Sequence, residues 1–269
     1  MIVEEKFMEG RGSGGRGGDL SIDIVPWDPV FEPDVIEICW RTGFMGESLE
    51  GLGRFEDRRL FAMIFALPYF HFDPGVCFLA VPKEMAEGAD PGARGGTTRR
   101  RAVGYITGTS DTAAQRRDFA RRWRPRIAAR IAFYDWWRHP GSARQALAFA
   151  RAEAGQEDER QSTQAPILGG PEFPAQLHIN ILPGWQGHGV GSRLMAAHLD
   201  ALRARGAPGV FLQTSDRNRK ALPFYEKLGF RLVNRSRGEF WTGSAADGLD
   251  YVMRLDGPKE GAGRGKSLT

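Results

Sequence analysis

Cysteine is scarce in this chain, two residues in 269. Cys39 and Cys77 stand in apolar surroundings with no metal-ligand spacing nearby. Buried thiols of a reducing compartment are therefore expected, not a disulfide or a metal site. Long hydrophobic runs are missing too: no stretch approaches ~18 consecutive apolar residues, which excludes a transmembrane helix. The opening MIVEEKFMEG puts acids where a secretory signal needs positive charge, so a cytoplasmic location with no membrane partner is expected. Nor does one charge sign dominate, since 37 basic against 33 acidic side chains leave a formal charge of +4. What the chain does have is apolar mass. Seven Trp, seventeen Phe and five Tyr exclude disorder of the whole chain. The length exceeds a minimal domain of about 150 residues, which suits one core with an insertion and tails.

Arginine clusters in two runs, RGGTTRRR from Arg94 to Arg101 and RRDFARRWRPRIAAR from Arg116 to Arg130. Such runs suit a polyanion in principle. The expectation here is a solvated loop and a solvated helix face, with no nucleic-acid partner, because Phe119, Trp123 and Ile127 recur at the spacing of a docked amphipathic helix.

Both ends are glycine-rich, so residues 1–20 and 256–269 read as disordered tails flanking a domain over 21–255. Within it, strands are expected at Leu20 to Val25, Val76 to Val81 and Ala102 to Thr109. Helices are expected at Pro33 to Thr42 and at Arg58 to Ala66, the latter stopped by Pro68. Pro82 to Arg101 reads as a long connection. Residues 110–174 form a helical insertion: Ala113 to Trp137 broken near Pro125, Ser142 to Ala154 capped by Ser142, then a linker from Gln156. Alternation resumes with strand Ala175 to Leu182, helix Ser192 to Arg205, strand Val210 to Thr214 and a helix from Ala221 to Leu228. Strands near Phe230 to Asn234 and Leu249 to Leu255 follow. This interleaving indicates a mixed, three-layer α/β (α+β) domain.

The chemistry concentrates in HINILPGWQGHGVGSRLM, where an apolar strand runs through Gln186-Gly187-His188-Gly189-Val190-Gly191 into a helix. Three glycines permit a tight turn, and the free N–H groups of the following helix favour a phosphate. A tight turn for packing alone is the competing reading. The loop lacks the Lys-Ser/Thr ending of a P-loop, and no acid follows at dinucleotide-site spacing. Downstream, Asn218, Ala221, Tyr225, Gly229 and Phe230 lie at N-x2-A-x3-Y-x3-G-F spacing.

Together, Q-x-x-G-x-G and this second motif resemble the GNAT acetyltransferase superfamily. The likeness spans Ser21 to Leu255, with Leu177 to Phe230 carrying the motifs. ICWRTG, ALPYFHFDPGVCFLAV, GYITGTSDT and the inserted RRWRP look like a narrower subgroup, which includes the carboxy-terminal acetyltransferase-like domain of O-GlcNAcase. The resemblance implies the acyl-CoA N-acyltransferase fold, a mostly antiparallel mixed sheet whose fourth and fifth strands splay apart. It implies direct transfer of an acetyl group from acetyl-CoA to a small-molecule or peptide amine, with no metal, and it admits a homodimer. A non-catalytic acetyl-CoA-binding or protein-interaction domain of the same fold is the alternative, because fold alone does not assign activity.

Residue by residue, the resemblance assigns the pantetheine to the main chain of Ile181 and Leu182, and the pyrophosphate to Gln186, Gly187, His188, Gly189, Val190, Gly191 and Ser192. Asn218 matches a position on the cofactor arm, or caps a helix. Phe224 and Tyr225 complete the cofactor set, and Tyr225 is the expected acid for the departing thiolate, or else a core aromatic. The base is open. Gln176, His178 and Asn180 share one strand face, and His178, Asp111 and Glu172 are candidates, while His198 reads as core. For the acceptor, Gly43 to Phe55 and Tyr69-Phe70-His71 are expected to line the pocket, with Glu47, Glu50, Asp73 and Asp111 as attractors of a cationic amine.

Overall fold

A computed structural model describes residues 21–83, 100–160, 168–237 and 245–255. The expected tails and nearly all of the Pro82 to Arg101 connection lie outside the described residues. Seven strands form one sheet: β1 (Ile22–Pro26), β2 (Phe78–Pro82), β3 (Gly104–Thr109), β4 (Ala175–Ile181), β5 (Gly209–Ser215), β6 (Arg231–Ser236) and β7 (Gly248–Arg254). Their order is β1-β2-β3-β4-β5-β7-β6. Every neighbouring pair is antiparallel except β4 and β5, which run parallel and pair only at Ala175 with Val210 and Gln176 with Phe211. Beyond those two rungs they part, giving the expected mixed sheet with diverging central strands.

Period-two alternation gives β4 two opposed faces. Leu177 and Ile181 look toward α8 (Val190–Ala204), where Ile181 meets Gly191. His178 and Asn180 look toward α1 (Glu32–Thr42) and α3 (Leu67–Phe72), contacting Thr42 and Tyr69. Helix α2 (Arg58–Phe65) packs on α1, and α9 (Leu222–Lys227) lies beside α8. The core between these layers includes Ile38, Phe61, Phe70, Leu79, Ile106, Leu177, Leu194 and Leu212, all at most 2% exposed.

Several boundaries differ from expectation for identifiable reasons. Helix α2 ends at Phe65, next to the expected Ala66, and Pro68 then opens α3, where a missing N–H costs nothing. Val76 belongs to a 3-10 turn ahead of β2. Pro125 does not break the insertion helix, which runs as α4 (Thr112–Asp118), a π segment (Phe119–Trp123), α5 (Arg124–Arg130), a second π segment (Ile131–Asp135) and α6 (Trp136–Arg138). The Arg124 N–H reaches back to the Phe119 carbonyl, so the widened turn makes room for the proline ring. Helix α7 (Pro140–Arg160) continues past the expected end at Ala154.

Ser142 caps another element. Buried inside α7, its Oγ accepts the N–H groups of Glu56 and Asp57 at 2.7 and 3.0 Å and fastens the insertion to the start of α2. A charged cluster completes this joint. Asp57 caps α2 through the N–H groups of Arg59 and Leu60, and its other oxygen accepts from Arg130 Nε at 3.0 Å. Asp135 is fully buried, with Arg130 Nε 3.3 Å from its Oδ2. Burial, and then the hydrogen bond and negative charge of Asp57, push Asp135 up to about 7. Burial opposes ionisation of Asp57 too, but hydrogen bonds from Asp135 and Arg130 outweigh it and hold that carboxyl low.

The consequence for stability has a definite sign. Folded Asp135 keeps a proton that the unfolded chain releases near pH 4, so its contribution is lost as pH climbs toward 7. Buried His178 and His198, both held down to about 4, act in the opposite sense, so the test is a difference. Between pH 5 and pH 8 the melting temperature of the wild type should drop relative to that of Asp135→Asn, where each kcal/mol is worth roughly 2–4 °C. Parallel melting curves across that range would contradict the shared-proton account.

Candidate functional site

The site begins where β4 and β5 stop pairing. Leu182, just past β4, donates its N–H to the Val103 carbonyl at 2.9 Å, and its own carbonyl accepts from Trp185 N–H at 3.1 Å. Its main chain is thus already engaged, contrary to the expectation that it pairs with a ligand. In an antiparallel ladder, alternate residues point their peptide groups to opposite sides. The register with β3 therefore turns the peptide groups of Ile179 and Ile181 toward the gap. The Ile181 carbonyl accepts from Gln186 Nε2 at 2.8 Å, so Gln186 braces the loop and does not simply project from it.

The glycine loop then forms an open cradle. Gly184, Gly187 and Gly189 have φ of +88°, +82° and +75°, a region that side chains rarely adopt. A Cβ built on any of the three would meet nothing within 4 Å. Gly189 is the residue before α8, and no side chain caps that helix, so its first N–H groups face the open space. His188 and Ser192 are exposed at the rim, whereas Val190 buries its side chain and offers only its main chain. Gly191 does a different job: a Cβ there would lie 3.3 Å from the Phe224 ring and 3.4 Å from Ile181 Cδ1. Its absence lets α9 close against the first turn of α8 at the edge of the gap.

Next to Phe224 on α9, Tyr225 is buried and packed among Phe224, Phe230 and Tyr251. Burial pushes its phenol up to about 12, so it stays protonated at any ordinary pH. Asn218 is not a helix cap. Ala221 precedes α9 without a side-chain cap, and the Asn218 amide donates weakly to Thr214 Oγ1 at 3.4 Å. Its Oδ1 lies 3.1 Å from the position a Gly46 Cβ would take, which explains glycine at φ +90° there.

Across the sheet sits a polar cluster. The Tyr69 hydroxyl donates to Gln176 Oε1 at 3.3 Å, and the Gln176 amide nitrogen lies 3.3 Å from His178 Nε2. Asn180 donates to Thr42 Oγ1 at 2.7 Å, and the Thr42 hydroxyl donates in turn to the Ile38 carbonyl at 2.7 Å. Burial, helped by His198, pushes His178 down to about 4. The imidazole is neutral at pH 7 but a weak base.

Other expected residues stand elsewhere. Asp111 lies beyond Thr109, which pairs with Gln176 at the closed end of the gap, and its carboxylate caps α4 through Ala114 N–H at 2.9 Å. Glu172 is exposed and 3.6 Å from Arg254. His198 is buried as expected, its Nδ1 2.6 Å from the Val76 carbonyl. Phe70 is core and His71 points to Glu32, which leaves Tyr69 alone of that trio on the polar face. Asp73 is buried too, spent on Ser110 and Arg205. Both cysteines are free, buried and pushed up to about 12, which makes them poor nucleophiles. Thr42 and Met45 carry no individual signal in the sequence. Met45, at φ 54°, accepts from Ser215 Oγ at 3.6 Å and seats the α1–α2 loop on the end of β5; only the tertiary fold brings them there.

Residues 112–230 match the model of the acetyltransferase (GNAT) family. The chain is 33% identical over 75 residues to N-alpha-acetyltransferase 30 of Schizosaccharomyces pombe, covering 28% of this chain and 49% of that protein. It is 38% identical over 87 residues to N-alpha-acetyltransferase RimI of Mycobacterium tuberculosis, covering 32% of this chain and 51% of that one. The matches thus span about half the length of these two relatives. Among solved structures, that of SsHAT superposes with a TM-score of 0.61 at 28% identity, covering 88% of this chain and all of the other. The fold is the GNAT fold.

Proposed function

We propose that this chain transfers an acetyl group from acetyl-CoA directly to an amine, peptide-borne or small, with both substrates bound at once. The observation that carries the reading is the gap between β4 and β5, with an anion cradle at its mouth on one face and a polar cluster on the other. The cradle fits a pyrophosphate: it is open, rimmed by N–H groups, and the loop over 183–192 contains no Asp or Glu. When bound, the thioester supplies the acetyl group. Gly187, Gly189 and the N–H groups opening α8 would hold the diphosphate, while the peptide groups of Ile179 and the N–H of Ile181 would align the pantetheine as an added strand.

Tyr225 holds a proton at Oη for the sulfur that departs as the N–C bond forms and the C–S bond breaks. On the other face, Tyr69, Gln176, His178, Asn180 and Thr42 present hydrogen-bonding groups to the incoming amine. His178 orients and hydrates this face more than it abstracts a proton, given its low basicity. The amine then arrives uncharged or loses its proton through water. Neither buried thiol is needed, and no step requires a metal. The likeness of the insertion-bearing sequence to the O-GlcNAcase-associated subgroup is part of this proposal.

Thiol release from acetyl-CoA against a panel of peptide N-termini, lysine side chains and small amines tests the reading. Turnover should rise with pH through the acceptor's own ammonium pKa and show no inflection near 6.5. Cofactor binding without thiol release on any amine would assign the fold to a non-catalytic role.

A further inference from the structure

The insertion helix, residues 112–138, has an outer face that acetyl transfer does not use. On its inner side Trp123, Ile127, Ile131 and Asp135 recur every four residues and pack down. Opposite them runs a second four-residue line, Arg117, Arg121, Pro125, Ala129, Phe133 and Trp137, exposed throughout. A four-residue repeat drifts about 40° per step around a regular α-helix. The two π segments are widened turns that absorb this drift, so the line stays on one side of the rod.

The outer face is polarised along its length. Toward one end lie Arg116, Arg117, Arg121 and Arg124, with no carboxylate within ion-pair distance among the described residues. At the other end Phe133, Trp136 and Trp137 are 85%, 53% and 79% exposed. Such rings bury ~150–250 Å² apiece when covered, so together they form a patch of the size that marks an interaction site.

Three features decide the occupant. Between 116 and 138 there are eight arginines and two aspartates, of which Asp135 is buried and Asp118 is paired with Arg122, so the partner is anionic. That charge disfavours a second copy, which would bring the same cations to the contact. The span also contains no Ser, Thr, Asn, Gln or Lys, and its exposed aromatics fall in one block, Phe133 to Trp137, where Arg130 and Arg138 lie over Tyr134, instead of being spaced along the helix as in a base-stacking track. Arginines for phosphates beside a block of indole and phenyl rings match the headgroup zone of a bilayer. Among the described residues no helix is long and apolar enough to cross a membrane, so the contact is with the surface.

We propose that the outer face of the 112–138 helix docks on an anionic lipid bilayer, with Phe133, Trp136 and Trp137 at headgroup depth and the arginines on lipid phosphates. Flotation of the full chain with phosphatidylserine–phosphatidylcholine vesicles should recover about tenfold more protein than with phosphatidylcholine alone, given the attraction of several arginines to the surface. Tryptophan emission should shift to the blue on binding. Arg117→Glu with Arg121→Glu, and separately Phe133→Ser with Trp137→Ser, should each lower recovery by about tenfold. Melting temperature and thiol release should hold in both. Wild-type protein that stays at the bottom with both vesicle types overturns the proposal, whatever the variants do. Salt-sensitive binding to an RNA oligonucleotide without vesicle binding reassigns the face to nucleic acid. A self-association lost in the Phe133 and Trp137 variant, without vesicle binding, reassigns it to a second copy.

Discussion

Gly189→Glu should abolish acetyl-CoA binding, raising Kd by roughly a hundredfold or more, because a like charge placed against the diphosphate costs several kcal/mol. The position is chosen by geometry. Gly189 sits at φ +75° directly before α8, and a Cβ there points into open space, where a diphosphate held by the helix N–H groups would lie. Two effects need separating. Any non-glycine residue in this conformation pays about 1–2 kcal/mol of steric strain, and Gly189→Ala carries that strain without the charge. A carboxylate at a helix N-terminus is itself stabilising by roughly 0.3–1 kcal/mol. Gly189→Glu should therefore melt no lower than Gly189→Ala while binding far more weakly. Isothermal titration with coenzyme A and acetyl-CoA on both variants makes the measurement. Equal affinity in wild type and Gly189→Glu would remove the cradle assignment.

How far the sequence announced this site depends on the kind of information each part carries. The glycine loop was legible because its physics is local: positive φ, a missing Cβ and a helix start are all written within a few consecutive residues. The face shared by His178 and Asn180 was legible for the same reason, since strand alternation is a local period. Leu182 was misassigned because the side to which its peptide group points depends on the register with β3, a partner some eighty residues away. Asp111 looked available as a base, yet the closed end of the gap lies where β3 ends, and helix capping takes its carboxylate. Ser142 had the right chemistry for a cap, but the N–H groups it satisfies belong to Glu56 and Asp57. Pro125 looked like a break because a proline in an α-helix usually is one; the π turn that accommodates it has no sequence signature of its own. A distant partner decides the outcome for Leu182 and Ser142, whereas the Asp111 cap and the Pro125 turn are local.

Tyr225→Phe should lower kcat by roughly a hundredfold, in the range expected when a proton donor to a developing anion is removed, with KM for acetyl-CoA nearly unchanged. The substitution deletes one oxygen and keeps the ring, so contacts with Phe224, Phe230 and Tyr251 remain and melting temperature should hold. Phe224→Ala is the contrasting case. It removes the ring that closes α9 against Gly191, and it should raise KM and lower stability together. The pH dependence gives a second readout. Burial holds the phenol at about 12, so the acid form persists across the usual assay range and is lost only as pH rises through that value. The rate should accordingly show no falling alkaline limb below about pH 10, beyond any fall shared by Tyr225→Phe. If Tyr225→Phe turned over at the wild-type rate, the hydroxyl would be a packing feature, and the thiolate would have to leave with its proton from water admitted through the gap.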